Sequence, residues 1–302
     1  MDSADIQAAL NNDGYCVIPN VLTPDEVYLA KQSFKDWQAT IPNHDKIHST
    51  TNPHGIYKYH GAGHTRHAWL IRTNPRVQEI FRDIWRTDDL ITSFDGSCYI
   101  SKDNTKRDRY WTHTDQSPMR GWSTNTNISS ISTPVQCYQG LVSLTDNEEK
   151  TLVVYQGSHL LHEPYFRTTA RDWSAKDWHI IDKTYIESIA DRKRALVIPA
   201  GALVLWDSRT FHQNQYGEPN SEERLVQYVC YLPKSHKKNT SAMTKKRQKY
   251  LEQRRTTSHW PAPIQVNGLQ PQVYGDKSRL INYSQLPISD LSDLSEAIQN
   301  LI

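Results

Sequence analysis

The feature that most constrains the fold is a series of short apolar segments that begins after residue 90. Each contains five to eleven residues, is rich in Val, Ile, Leu and aromatic side chains, and is separated from the next by turn-forming residues. The segments read ITSFDGSCYIS, VQCYQGLVSL, TLVVY, RALVIPAG, ALVLWDS and RLVQYVCYL. Because helices of regular length do not alternate with these segments, the pattern predicts a β-sandwich or barrel and argues against a parallel βαβ sheet.

The first forty residues predict two helices with one strand between them. A short helix is expected from Ser3 to the Asp13-Gly14 pair, and residues 15–19 (YCVIP) have the β-branched content of a strand. The sequence Thr23-Pro24-Asp25-Glu26 has the pattern of a capping box with Pro at the first helical position. It predicts a second helix that runs to about Thr40.

The remaining segments predict loops and two further helices. Residues 41–59 and 117–133 are polar and show no period, so we expect loops there. Apolar residues repeat with a helical period over 75–86, and a last short helix is expected after a cap at Ser289. The excursion over 160–191, which contains Trp173 and Trp178, is either a lid or a cluster that covers a sheet edge.

Length and composition bound the class of protein. The chain has 302 residues and a mass of 35.0 kDa, which is long enough to bury a large core. No apolar run approaches the roughly 18 residues of a membrane span, and the acidic N-terminus does not resemble a signal peptide. The four cysteines are widely spaced without a CxxC pair, so we expect reduced thiols and no zinc knuckle. The expected location is cytoplasmic, with a nuclear location left open.

Positive charge is concentrated in one segment. Residues 234–255 carry nine Lys or Arg against one acid, Glu252, although the net charge of the whole chain is only +2. Such a segment is either a contact for an anionic partner, such as nucleic acid, or the solvated face of a helix.

The residues that suggest chemistry are His113, Asp115 and a later histidine, His212. Two histidines and one carboxylate leave three metal positions open, which is the arrangement that suits non-haem Fe(II). The His-x-Asp spacing alone is not specific in a chain with 13 histidines, so its context decides. His212 follows the apolar segment ALVLW, which places it at a strand end, where barrel mouths carry ligands.

Arg224 also suggests a binding function, because it opens the last strand segment and is expected to face inward. A buried guanidinium is unfavourable unless a carboxylate pairs with it, and its own strand carries no acid. A dicarboxylic cosubstrate that chelates iron at one end would supply that carboxylate with its other end.

These residues resemble those of a known family. His113-x-Asp115, TLVVYQGSH (151–159), GALVLWDSRTFH (201–212), Arg224 and the opening DGYCVIPNVLTPDEV (13–27) are similar to the phytanoyl-CoA dioxygenase (PhyH-like) family of Fe(II)/2-oxoglutarate oxygenases. The similarity extends over roughly residues 13–232. It implies a mainly β fold with flanking helices around a double-stranded β-helix core, which is a jelly-roll of the cupin-like type.

The resemblance also implies the site. Iron would be held by His113, Asp115 and His212, and the distal carboxylate of 2-oxoglutarate would meet Arg224, with O2 as the second cosubstrate. Gln139 lies at the position where family members carry an aromatic cosubstrate contact. Lys58 lies where some relatives supply a second basic contact. Because Asp115 is present, the halogenase variant of this chemistry is disfavoured.

The function implied is a dioxygenase that hydroxylates a C–H bond of a polar substrate and releases succinate and CO2. Residues 1–233 would form the oxygenase domain with its N-terminal helices, and 234–302 a basic extension with helices packed on it. Two alternatives stay open, namely a non-catalytic jelly-roll that binds an anionic ligand, and an oxygenase recruited to nucleic acid or protein through residues 234–255. The run 254–261 (RRTTSHWP) either docks at the barrel mouth and contributes to substrate choice or is a surface segment. The substrate itself, small or macromolecular, is not predicted.

Overall fold

The computed structural model describes residues 1–42, 44, 53–118, 137–169 and 176–302. Its helices are α1 (Ser3–Asn12), α2 (Pro24–Ala39), α3 (Arg66–Arg72), α4 (Pro75–Trp85), α5 (His162–Thr168), α6 (Lys183–Ser188), α7 (Ser241–Glu252) and α8 (Ser295–Asn300). Its strands are β1 (Tyr15–Ile18), β2 (Ile56–Tyr57), β3 (Leu90–Thr92), β4 (Ser97–Ile100), β5 (His113–Thr114), β6 (Tyr138–Ser143), β7 (Leu152–Tyr155), β8 (His179–Ile180), β9 (Lys193–Ala195), β10 (Leu203–Asp207), β11 (His212–Asn214) and β12 (Arg224–Pro233). Trp173 and residues 119–133 of the predicted loop lie outside the described residues.

The strands form two antiparallel sheets. The larger sheet has the order β1-β10-β6-β12-β4-β2, with β3 paired to β12, and the smaller has the order β8-β5-β11-β7-β9. A buried cluster joins them, since Trp206 and Val226 of the larger sheet pack with Leu152 and Val154 of the smaller. Two facing antiparallel sheets make a double-stranded β-helix, so the predicted fold class is confirmed.

Helices cover the outer face of the larger sheet. Leu10 of α1, Phe34 of α2 and Phe81 of α4 pack against that sheet in one buried cluster, together with Leu203 and Val229. Phe34 and Phe81 are fully buried, and truncating such a ring to Ala typically costs about 3–5 kcal/mol. The capping box predicted at Thr23 is present and begins α2. The helices predicted at α1 and α4 are also confirmed.

Three predictions about elements need correction. Residues 91–101 form two strands, β3 and β4, separated by residues 93–96; at Gly96 a Cβ atom would lie 1.7 Å from the carbonyl oxygen of Tyr57. The predicted loop over 41–59 contains the short strand β2, which pairs with β4. The last helix begins at Ser295 after a 3₁₀ turn over Ser292–Leu294, so the predicted cap at Ser289 is wrong.

The C-terminal segment packs closely on the rest of the chain. Arg247 of α7 is fully buried, and its guanidinium donates to the backbone oxygens of Ile302 and Pro261. A buried cluster joins Trp69 and Phe94 to side chains of the segment, namely Ile264, Ile298 and Ile302. The four cysteines are buried free thiols. Within the described residues, none of the helices has the length and apolar character needed to cross a membrane.

Candidate metal centre

Adjacent strands of the smaller sheet bring the two histidines together. His113 of β5 and His212 of β11 are direct register partners, and their ring centroids lie 4.4 Å apart. Asp115 follows β5 directly, and a spacing of two residues places its side chain on the same face as His113. The local sequence thus sets the relation of His113 to Asp115, whereas the pairing of β5 with β11 adds His212.

The three side chains converge on one point. Asp115 Oδ1 lies 3.6 Å from His113 Nε2, and Asp115 Oδ2 lies 3.3 Å from His212 Nε2. One potential ligand atom from each residue lies within 4.8 Å of the others. All three side chains are buried. This spacing is that of a two-histidine, one-carboxylate site that could hold a divalent metal ion.

Hydrogen bonds set the tautomer of both imidazoles. His113 Nδ1 lies 2.9 Å from the carbonyl oxygen of Trp111, and His212 Nδ1 lies 2.9 Å from that of Thr210. A carbonyl oxygen can only accept, so each Nδ1 carries the proton. Each ring therefore turns its Nε2 toward Asp115, which is the nitrogen that could bind a metal ion.

The electrostatics of the site favour an ionised carboxylate at Asp115. Burial opposes ionisation of Asp115, but the neighbouring histidines outweigh it and hold the pKa of this carboxyl well below its usual range. Burial lowers the pKa of His113, and the proximity of His212 lowers it further. A negative charge beside two neutral nitrogen donors is the protonation state that binds a divalent cation.

Further contacts hold Asp115 from several sides. Gln139 Nε2 donates to Asp115 Oδ2 at 3.1 Å, so the amide at the predicted cosubstrate position contacts the carboxylate of the triad. The backbone N–H of Asp115 donates to the carbonyl of Ser208 at 3.0 Å. The backbone oxygen of Asp115 accepts from the indole of Trp260 at 3.2 Å and lies 3.3 Å from His259 Nε2.

The three side chains open into a cavity of about 1230 Å³. Lys58, the predicted second basic contact, lines this cavity, and burial lowers the pKa of its ammonium. The aromatic part of the wall includes a stack of three rings. The ring centroids of His54 and Trp111 lie 3.8 Å apart, and those of Trp111 and His113 lie 4.8 Å apart. Other lining residues are Asp95, Leu152, Trp178, Trp206, Asn214, Tyr228, Ser258, Trp260, Gln265 and Asn267.

Arg224 lies immediately behind the cavity wall. It is fully buried, and its guanidinium donates to Asn214 Oδ1 at 3.1 Å and to the carbonyl oxygen of Lys150 at 3.2 Å. Its Nε atom is buried without a hydrogen-bond partner. Among the residues that the structure describes, no carboxylate lies within ion-pair distance of Arg224. A buried cation with an unpartnered donor fits the distal carboxylate of a dicarboxylic cosubstrate.

Sequence reasoning placed Tyr228 on the inward face of its strand beside Arg224 but did not select Asn214. Asn214 Nδ2 donates to the hydroxyl of Tyr228 at 2.8 Å, and both residues line the cavity. Asn214 follows His212 by two positions in β11, so the alternation of a strand could have placed both on one face. Tyr228 stands on the inward face of β12 with Arg224, where the same alternation applies.

The fold and these side chains define a double-stranded β-helix protein with a two-histidine, one-carboxylate centre. Residues 10–217 match the family described as Phytanoyl-CoA dioxygenase (PhyH), which is more than half of the chain. The chain belongs to this family and is an Fe(II)/2-oxoglutarate-dependent oxygenase. The reading as a non-catalytic binding protein is therefore set aside.

The chain is also similar to individual proteins and solved structures. The Aspergillus versicolor protein named "Ava biosynthesis cluster protein O" is 27% identical over 261 residues, which are 78% of this chain and 80% of that protein. The structure of GlcNAc Inducible Gene 2 (DUF1479) from Candida albicans has a TM-score of 0.62 at 14% identity and covers 100% of this chain and 77% of its own. EctD from S. alaskensis, solved with 2-oxoglutarate and 5-hydroxyectoine, has a TM-score of 0.50 at 16% identity and covers 78% of this chain and 77% of its own.

Proposed function

We propose that this oxygenase hydroxylates a C–H bond of a polar small molecule held in the cavity beside His113, Asp115 and His212. The observation that carries the proposal is the convergence of two Nε2 lone pairs and one ionised carboxylate on a point that faces a cavity of about 1230 Å³. A cavity of this size exceeds the volume of a small organic substrate together with a five-carbon dicarboxylic acid.

The donor set fits ferrous iron. Nitrogen and oxygen donors that occupy one side of a metal leave positions for a cosubstrate and for O2. Iron bound there with 2-oxoglutarate and O2 supplies the oxidant, and succinate and CO2 are the coproducts. The chain itself fixes both imidazole tautomers through the carbonyls of Trp111 and Thr210 and keeps the carboxylate ionised.

Arg224 is proposed to bind the distal carboxylate of 2-oxoglutarate. Its unpartnered Nε and the polar pair of Asn214 and Tyr228 in front of it support this role. Lys58 is proposed as a second basic contact, since it lines the same cavity. The Gln139 amide donates a hydrogen bond to Asp115. Its proposed role in cosubstrate binding requires this amide to hydrogen-bond a carboxylate of 2-oxoglutarate as well.

The wall composition supports a polar substrate. Asn214, Ser258, Gln265 and Asn267 contribute polar groups, and Trp111, Trp178 and Trp260 contribute flat apolar faces. This combination suits a molecule with rings and hydrogen-bonding groups better than a long acyl chain. The name of the A. versicolor relative places that protein in a biosynthesis cluster, which supports a small-molecule substrate for this chain also.

The test is consumption of 2-oxoglutarate by purified protein with Fe(II) and ascorbate, measured as succinate release. Wild-type protein is expected to produce succinate, and Asp115→Ala is expected to reduce the rate at least a hundredfold and to weaken metal binding. Thermal unfolding of both proteins checks that the fold is kept. Equal succinate release by the two proteins would contradict the assignment of Asp115.

An anionic macromolecular partner at residues 234–255 has weaker support. Arg247 and Arg254 bind backbone oxygens within the C-terminal segment, Arg255 lies over the ring of Tyr283 and Lys246 over that of Tyr250, so four of the nine basic side chains have internal partners. Salt-sensitive DNA binding that is lost in Lys245→Ala/Lys249→Ala would restore this proposal. The cytoplasmic location stays a prediction, supported by four buried free thiols.

A further inference from the structure

The segment of residues 256–260, here called the clamp segment, lies beyond the family match that ends at residue 217. It is nevertheless in contact with a proposed metal ligand. Its last residue, Trp260, is 2% exposed and donates its indole N–H to the backbone oxygen of Asp115 at 3.2 Å. His259 Nε2 lies 3.3 Å from the same oxygen and must be the donor, because a carbonyl oxygen can only accept.

The clamp segment is itself held firmly. The backbone N–H of Thr257 donates to the carbonyl oxygen of Phe94, and the hydroxyl of Thr257 accepts from the N–H of Phe94, both at 2.9 Å. The hydroxyl of Thr256 accepts from the N–H of Gly63 at 3.0 Å. Thr256 and Thr257 are buried, so these bonds are shielded from water and fix the position from which Trp260 reaches Asp115.

These contacts bear on the geometry of the carboxylate. On one side of its Cα, the N–H of Asp115 donates to Ser208, and on the other side its carbonyl oxygen accepts from Trp260 and His259. Hydrogen bonds on both sides of a Cα fix the direction of its Cα–Cβ bond. Outer contacts of this kind orient metal ligands, and their loss typically weakens metal binding by about 10–100-fold.

We infer that Trp260 and His259 are positioning residues that hold Asp115 in the orientation needed to bind iron, so that the clamp segment is part of the active site. The inference rests on the proposed role of Asp115 as a metal ligand. It assigns a function to a C-terminal segment that the family match does not include.

The test compares Mn(II) affinity among full-length variants, with free Mn(II) measured by its electron paramagnetic resonance signal. Trp260→Phe keeps an aromatic ring but removes the N–H, and is expected to weaken Mn(II) binding about tenfold. The matched control is Trp85→Phe, because the Trp85 indole also donates to a backbone oxygen, that of Tyr231 at 2.9 Å, which is not part of the metal site. The control is expected to change affinity less than twofold.

A second pair keeps the inference testable if Trp260→Phe does not fold. His259→Gln retains an N–H donor and is expected to bind Mn(II) within about twofold of wild type, whereas His259→Leu is expected to bind more weakly by at least threefold. Equal affinity of Trp260→Phe and Trp85→Phe, or of the two His259 variants, would overturn the positioning role. Absence of Mn(II) binding by wild-type protein would instead remove the proposed function, and with it the ligand to be positioned.

Discussion

At the scale of single residues, Arg224 offers the sharpest test of cosubstrate binding. Its guanidinium is fully buried with an unpartnered Nε, so a carboxylate placed beside it would form strong charge-assisted hydrogen bonds. Hydrogen bonds to charged groups contribute about 1.5–3 kcal/mol, and therefore Arg224→Ala should raise the KM for 2-oxoglutarate at least tenfold. The exposed Arg194 on β9 is the control, because Arg194→Ala should leave that KM unchanged. An unaltered KM in Arg224→Ala would exclude the assignment.

The residues that could be found in the sequence share a simple relation to their strands. His113 and Asp115 are two positions apart, and Arg224 opens an apolar strand segment, so these residues could be selected from local patterns together with their context. Trp260 lies in the run 254–261 that the sequence suggested for the barrel mouth, but no local pattern indicates its contact with Asp115, because that contact spans 145 positions and depends on how the C-terminal segment folds back. The bond from Gln139 to Asp115 was missed for a related reason, since it connects β6 to the end of β5.

At the scale of elements, Arg247 ties α7 to the C-terminal end of the described chain. Its guanidinium donates to the backbone oxygen of Ile302 at 2.8 and 2.6 Å, and burial lowers its pKa to about 10. Arg247→Ala removes these bonds and leaves buried carbonyl oxygens without donors, so the melting temperature should fall by several degrees. Lys245→Ala, on the exposed face of the same helix, should shift it by less than 1 °C, a small effect typical of surface sites. Equal shifts of the melting temperature in the two variants, measured by calorimetry, would mean that the hydrogen bonds of Arg247 do not stabilise the fold.

Element prediction succeeded where local chemistry decides and failed where packing decides. The capping box at Thr23 and the period of α4 are local, and both helices form as expected. The strand β2 has only two residues in a polar stretch and exists because β4 pairs with it. The segment 91–101 divides into β3 and β4, and between them Gly96 lies too close to the Tyr57 backbone for any side chain, a contact that periodicity does not contain.

At the scale of the whole molecule, buried histidines make stability depend on pH. His64 and His67 are buried, and burial lowers the pKa of each to about 3. Their unfolded pKa is about 6.5, so the unfolded chain binds more protons below that pH. The stability that their neutral forms contribute is present above pH 6.5 and is lost as pH falls from 6.5 toward 3.

Urea unfolding at pH 7.5, 6.5, 5.5 and 5.0 measures this dependence. Each histidine should lower the free energy of unfolding by about 1.4 kcal/mol per pH unit below 6.5. His67→Gln should reduce the slope by that amount, while His44→Gln, at an exposed position, should leave it unchanged. If the free energy of unfolding has the same pH dependence in wild type and His67→Gln, His67 is charged in the folded state.

The order of short strands predicts a β-sandwich or barrel, and the family resemblance implies the double-stranded β-helix with flanking helices. The pairing of β5 with β11, which makes His113 and His212 neighbours, is a property of the closed fold. The family resemblance supplied that relation before the structure did. Residues 257–267 line the cavity beyond the family match. Docking at the barrel mouth was one of the two interpretations of the run 254–261, whereas nothing in the sequence selected the wall residues after 261.

The central claim is most directly tested by a crystal structure with Mn(II) and an unreactive 2-oxoglutarate analogue. We expect one metal ion at about 2.0–2.3 Å from His113 Nε2, His212 Nε2 and an Asp115 carboxylate oxygen. The distal carboxylate of the analogue should lie within hydrogen-bonding distance of Arg224. A metal ion bound elsewhere, or density for the analogue without a metal at these three side chains, would contradict the account.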